Sequence, residues 1–102
     1  MFFADRYQAM KAIWNNQVLA ESNETVVVDS NHYFPSSSIK KEFFRESDAK
    51  TYCHWKGEAS YYDIVVDNEV NKEAAWYYPQ TKEKAEHIRG MVAFWHGVQV
   101  VE

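Results

Sequence analysis

Cys53 and Lys56 are the residues of this 102-residue chain whose types and spacing most directly suggest chemistry. An ammonium close to a thiol stabilises the thiolate, which is the form that attacks carbon or sulfur. Lys56 follows Cys53 by three residues, and both are therefore candidate catalytic groups. His32 is a conceivable base for Cys53 through the fold, although a lone histidine in a loop more often serves hydrogen bonding. The plainer reading of Cys53 is a buried thiol acting as a small hydrophobe. No base follows from spacing alone.

A second kind of chemistry is recognition. The chain holds four Trp, seven Tyr and six Phe, and Tyr and Trp rings want both apolar cover and a partner for their polar tip. Tyr33, Trp55, Tyr61, Trp76 and Tyr77 suit the walls of a small-molecule pocket, with Lys56 as a cation and Glu42 or Asp63 as an anion. Such a ring-lined cavity with few polar groups is the usual make-up of a ligand site, and it also suits an organic cation. The competing reading is that these rings simply fill the core.

Other classes recede. Eleven Lys and Arg against fifteen Asp and Glu leave a net charge of -4, with the bases scattered among acids. A nucleic-acid backbone binder needs a basic stripe, so no nucleic-acid partner is expected. Apolar runs fall far short of the roughly 20 residues that span a bilayer, so no membrane partner is expected either. Asp5 and Arg6 interrupt the opening Met1-Phe2-Phe3-Ala4, leaving no signal-peptide core. A single cysteine cannot staple the fold, which makes a reducing, cytoplasmic setting the default. The four histidines and Cys53 lack metal-ligand spacing, and neither metal nor cofactor is expected.

The elements that must position these residues are mostly strands. Asn15-Asn16 between Ala12–Trp14 and Gln17–Glu21 reads as a two-residue hairpin, and Asp67-Asn68 reads as another. Strands are expected over 25–29, 51–55, 58–66 and 74–78, with a terminal hairpin, 92–95 and 98–101, around His96-Gly97. Ser36 to Ser38 suit a helix cap ahead of Ile39 to Phe44, and Thr81 suits the cap of a second short helix ending before Gly90. Hairpins imply antiparallel pairing. The expected fold is mainly β, a β-rich α+β domain built as a small antiparallel curled sheet or barrel with one or two short helices. Residues 10–21 also align without gaps to residues 91–102, pairing Trp14 with Trp95, which suggests equivalent corners for both rings.

Five runs then point to a family. Asn31-His32-Tyr33-Phe34-Pro35, Cys53-His54-Trp55-Lys56-Gly57, Ser60-Tyr61-Tyr62, Ala75-Trp76-Tyr77-Tyr78-Pro79 and Ile88 through Phe94 occur in this order. From Met10 to the C-terminus the chain resembles the uncharacterised DUF427 family, which makes 10–102 one domain and 1–9 an N-terminal extension. The resemblance implies a small, mainly β domain whose signature residues gather around a pocket. His54 stands where the family usually has proline, and so does Thr81.

The family carries a nucleotidyltransferase-like label, which spacing does not support. Carboxylates sharing two ions must lie close together. Asp63 and Asp67 are about 13 Å apart on an extended strand, and the glycines are isolated rather than gathered in a phosphate loop. The leading expectation is a ligand-binding domain using Tyr33, Trp55, Lys56, Tyr61, Trp76 and Tyr77. The alternatives are an enzyme, either nucleotidyltransferase-like or dependent on Cys53, and an interaction module that pairs with a second copy as a homodimer.

Overall fold

Paired Asn and Asp residues bend the chain where their side chains tolerate positive φ. The computed structural model describes residues 9–102, so the expected N-terminal extension, except Ala9, lies outside the described residues. Strands β1 (Met10–Trp14) and β2 (Gln17–Ser22) flank Asn15 and Asn16, at φ 52° and 62°. Strands β3 (Val26–Val28) and β4 (Asn31–Tyr33) flank Asp29 and Ser30, at 52° and 67°. After β5 (Phe44–Cys53), strands β6 (Gly57–Val66) and β7 (Glu69–Tyr77) flank Asp67 and Asn68, at 50° and 67°. Positive φ at both central residues matches the twist of the flanking strands, as type I′ turns require. Strands β8 (Val92–Phe94) and β9 (Gln99–Val101) complete the chain.

The strands form three open antiparallel sheets, ordered β2-β1-β9, β3-β4 and β5-β6-β7-β8. The domain is mainly β, as expected, but it is not closed into a barrel. The short helical segments among the described residues, 36–38, 41–43 and 83–88, are 3-10 rather than α. No side-chain cap holds the last of these, and the expected cap, Thr81, keeps its hydroxyl buried without a partner. The terminal hairpin also divides. β8 pairs with β7, whereas β9 pairs with β1 in another sheet, so the His96-Gly97 turn is a crossing point. The segments around Trp14 and Trp95 thus occupy unlike settings, one of them a true hairpin and the other split between sheets.

Two faces of the four-stranded sheet are covered. Period-2 alternation sends Tyr62, Ile64 and Val66 of β6 to one face and Ala59 and Tyr61 to the other. On the first face Leu19, Ala12 and Ala20 of the smaller sheet pack with Phe34, Ile64, Val92 and Phe94. On the second, Tyr33, Tyr61 and Tyr78 pack with Ala85, Ile88 and Ala93, beneath Val26 and Val28 of the β3–β4 ribbon. Tyr33 and Phe34 therefore serve opposite clusters. Reciprocal bonds between the Phe34 and Val92 backbones, 2.7 and 2.8 Å long, fasten the ribbon to the sheet edge at β8.

A bulge shapes the other end of β7. Ile64 pairs with Asn71 and Tyr62 with Ala75, so residues 72–74 stand opposite Asp63 alone. Glu73 takes φ 56° there and donates its N–H to Asp63 Oδ1 at 2.8 Å. Trp95 Nε1–H donates to the Glu73 carbonyl at 2.6 Å, and the Trp95 amide donates to Ala74 O at 3.0 Å. The bulge is thus satisfied by side chains as well as by the ladder.

Candidate functional site

The candidate site lies where the β5–β6 turn meets the loop after β7. Gly57 opens β6 at φ 117°, a conformation that side-chain-bearing residues rarely adopt, and a Cβ there would stand 2.9 Å from the Gln80 carbonyl. That close approach lets the Lys82 amide donate to Lys56 O at 3.1 Å. The Cys53-to-Gly57 signature is thereby docked against residues 80–82, which directly follow the Ala75-to-Pro79 signature.

Lys56 is the chemical centre of this corner. It is only 8% exposed, and its ammonium lies 5.4 Å from the Trp55 ring centroid and 5.6 Å from that of Tyr78. Its Nζ donates to Asp29 Oδ2 at 2.9 Å, across 27 residues of sequence. Burial by itself would lower the Lys56 pKa, but the Asp29 hydrogen bond and the electrostatic pull of Tyr33, Tyr78 and Asp29 outweigh it. The ammonium titrates above the ordinary lysine value and serves as a fixed cation, not as a base or an amine nucleophile.

Behind Lys56 stands a connected set of rings. Trp76 Nε1–H donates to Tyr33 Oη at 3.1 Å, the two rings meeting edge to face. Tyr61 shares a 2.8 Å hydrogen bond with Thr51 Oγ1 and stacks towards Trp95. Burial pushes the Tyr78 hydroxyl up to about 12 against the opposing pull of Lys56. Burial and the Tyr77 neighbour push Tyr62 likewise up to about 12.

Both tyrosines hold their protons more tightly folded than unfolded, where the pKa is about 10. The stability they confer is complete below about pH 10 and is lost as pH rises towards about 12. Absorbance titration at 295 nm should find two late-ionising tyrosines, with thermal stability falling over the same interval. Tyr78→Phe should shrink that fall.

Of the residues expected to line one pocket, the structure gathers Tyr33, Tyr61 and Trp76 on the second face, with Cys53 half-buried against the same cluster. Trp55 lies outside β5, in the turn, and is 39% exposed with one side towards Lys56. Tyr77 points to the opposite face, stacked on Tyr62 with centroids 4.6 Å apart, because it alternates with Trp76 along β7. Asp63 is engaged by the Glu73 amide and lies 3.9 Å from Arg45, and Glu42 is exposed on the 41–43 turn.

Lys56 meets Asp29 rather than the Cys53 thiol, and the His32 ring bonds Thr25 Oγ1 at 2.9 Å. Among the described residues no group of three His, Cys, Asp or Glu side chains could hold a metal ion. Two shallow grooves, of about 360 and 280 Å³, lie elsewhere, beside Trp14 and Gly97 and beside Ile39 and Phe44. The residue that sequence reasoning missed is Asp29. Its signal was Asp-Ser-Asn between two short apolar runs, a turn sequence.

The fold and this corner define a small, mainly β domain with two aromatic-rich clusters and a buried, ring-flanked lysine. The chain belongs to the DUF427 family, a domain of unknown function whose model matches residues 4–102. Among curated proteins, none matches the chain significantly. No helix among the described residues is long and apolar enough to cross a membrane.

Proposed function

We propose that this domain binds a small molecule at the corner formed by Lys56, Trp55 and Tyr78, with Tyr33, Tyr61 and Trp76 as the rigid wall behind it. One observation carries the reading: a buried, permanently charged ammonium lies beside two aromatic rings, and its one hydrogen-bond partner among the described residues is the exposed Asp29. A lysine that served stability alone would be placed more cheaply at the surface, since burying a charge costs several kcal/mol unless it is well paired. The rings supply apolar contact and the ammonium supplies orientation, the division of labour usual in ligand sites. A free Cys53 in the adjacent cluster fits a cytoplasmic protein.

The test is an amide and indole NMR titration of the whole chain with a metabolite library. Perturbation of the Trp55 indole and the Lys56, Gly57 and Tyr78 amides by a common ligand is expected. Shifts confined to the groove beside Asn15 and Gly97 would overturn the placement.

A further inference from the structure

We infer that the ligand is a small organic carboxylate with a flat conjugated body, and that Asp29 is its intramolecular stand-in. The inference rests on the reading of the Lys56 corner as a binding site. Its basis is the asymmetry of the ion pair, in which the Lys56 side chain is 10% exposed and that of Asp29 57% exposed. The cation is built into the domain, whereas the anion reaches in from the tip of a two-residue turn. Asp29 and Ser30 both sit at positive φ, and the Asn31 side chain holds the Asp29 carbonyl at 3.3 Å from an exposed position. A change of χ at Asp29 frees Lys56 without disturbing the β3–β4 ladder, whose pairs run from Val26↔Tyr33 to Val28↔Asn31.

Charge and shape narrow the class. Exchanging one carboxylate for another leaves the buried charge balance unchanged, so a monoanion replaces Asp29 at little electrostatic cost. A phosphate dianion asks for several converging donors. Here the Lys82 N–H is already spent on the Lys56 carbonyl, and Gly57 is not part of a glycine-rich loop. Trp55, partly exposed and beside the ammonium, offers a flat face on which a conjugated ring can lie while its acid group meets Nζ.

The experiment titrates the full chain with benzoate, acetate and phenyl phosphate, reading the Trp55 indole and Gly57 amide shifts. Wild type is compared with Asp29→Asn, Lys56→Met and Lys56→Arg. Because a half-exposed ion pair is a weak competitor, Asp29→Asn should tighten benzoate binding about two- to fivefold. Acetate should bind more weakly than benzoate. Lys56→Met should abolish binding while Lys56→Arg retains it, which separates loss of the cation from loss of fold.

Unchanged or weaker benzoate binding in Asp29→Asn would overturn the stand-in role, and tighter binding of phenyl phosphate would overturn the carboxylate class. Site shifts with a neutral aromatic but with none of these anions would sink this inference and leave the binding site standing. If no compound, including the metabolite library, moves the Trp55 and Gly57 signals, both readings fall.

Discussion

Gly57→Ala should cost about 2 to 5 kcal/mol of stability, from a backbone conformation that side chains rarely adopt together with a clash the loop must relieve. The added Cβ would meet backbone, the Gln80 carbonyl at 2.9 Å, and backbone gives way only by moving residues 80–82 off the β5–β6 turn. The Lys82 N–H to Lys56 O bond is then lost, so amide exchange at Lys82 should speed up beyond what global unfolding explains. Gly97→Ala supplies the comparison. Gly97 also has a positive φ, 86°, but nothing lies within 4 Å of a Cβ there, so only about 1 to 2 kcal/mol of conformational cost is expected. Equal losses in the two variants, by urea denaturation, would show that the close approach at Gln80 does not matter.

Phe34→Ala should be comparably severe, about 3 to 5 kcal/mol, because a fully buried ring leaves a cavity as well as losing its transfer energy. Phe34 meets Phe94 edge to face at 5.5 Å, and its backbone carries both bonds that join the β3–β4 ribbon to β8. Loosening it should therefore also perturb the other face through Tyr33, its neighbour in chain, and Trp76, which donates to Tyr33. Chemical denaturation of Phe34→Ala beside Phe34→Leu, which keeps most of the volume, gives the measure. A loss below about 1.5 kcal/mol in the alanine variant would mean that Phe34 is not a core anchor.

These two residues show what was legible beforehand. Gly57 and Phe34 both lie in runs that mark the family, and the turns at Asn15-Asn16 and Asp67-Asn68 were readable because Asn and Asp accept positive φ locally. Asp29-Ser30 escaped notice since serine is a weaker signal for that conformation. β5 was recognised only over its last residues. Its start carries Arg45, Glu46, Asp48 and Lys50 on an edge, where charge blunts unwanted pairing and hides the alternation of a strand. Ile39 and Phe43 have helical spacing, yet a chain segment that must return to the sheet at once has room only for single 3-10 turns.

The candidate site was half legible. Tyr33, Tyr61 and Trp76 do meet, because Tyr61 and Trp76 are cross-strand partners on β6 and β7 and the β3–β4 ribbon that covers this face brings Tyr33 onto Trp76. Tyr77 was grouped with them although it follows Trp76 directly, and neighbours on a strand face opposite ways. Trp55 falls inside the strand expected over 51–55, but the strand ends at Cys53 and Trp55 belongs to the turn.

By itself the sequence determined the mainly β character, the family and the two Asn-rich turns, for these depend on dihedral preferences and alternation within a few residues. The parting of β8 and β9 was settled only by the tertiary fold, in which β8 joins the edge of the four-stranded sheet and β9 the edge of the smaller one, so that Val92, Phe94 and Val100 cover the one core between the two sheets. The same is true of Lys56. Its partner is 27 residues away on a different hairpin, and no local rule connects them; the contact exists because the ribbon covers the second aromatic cluster and so carries Asp29 to the buried ammonium.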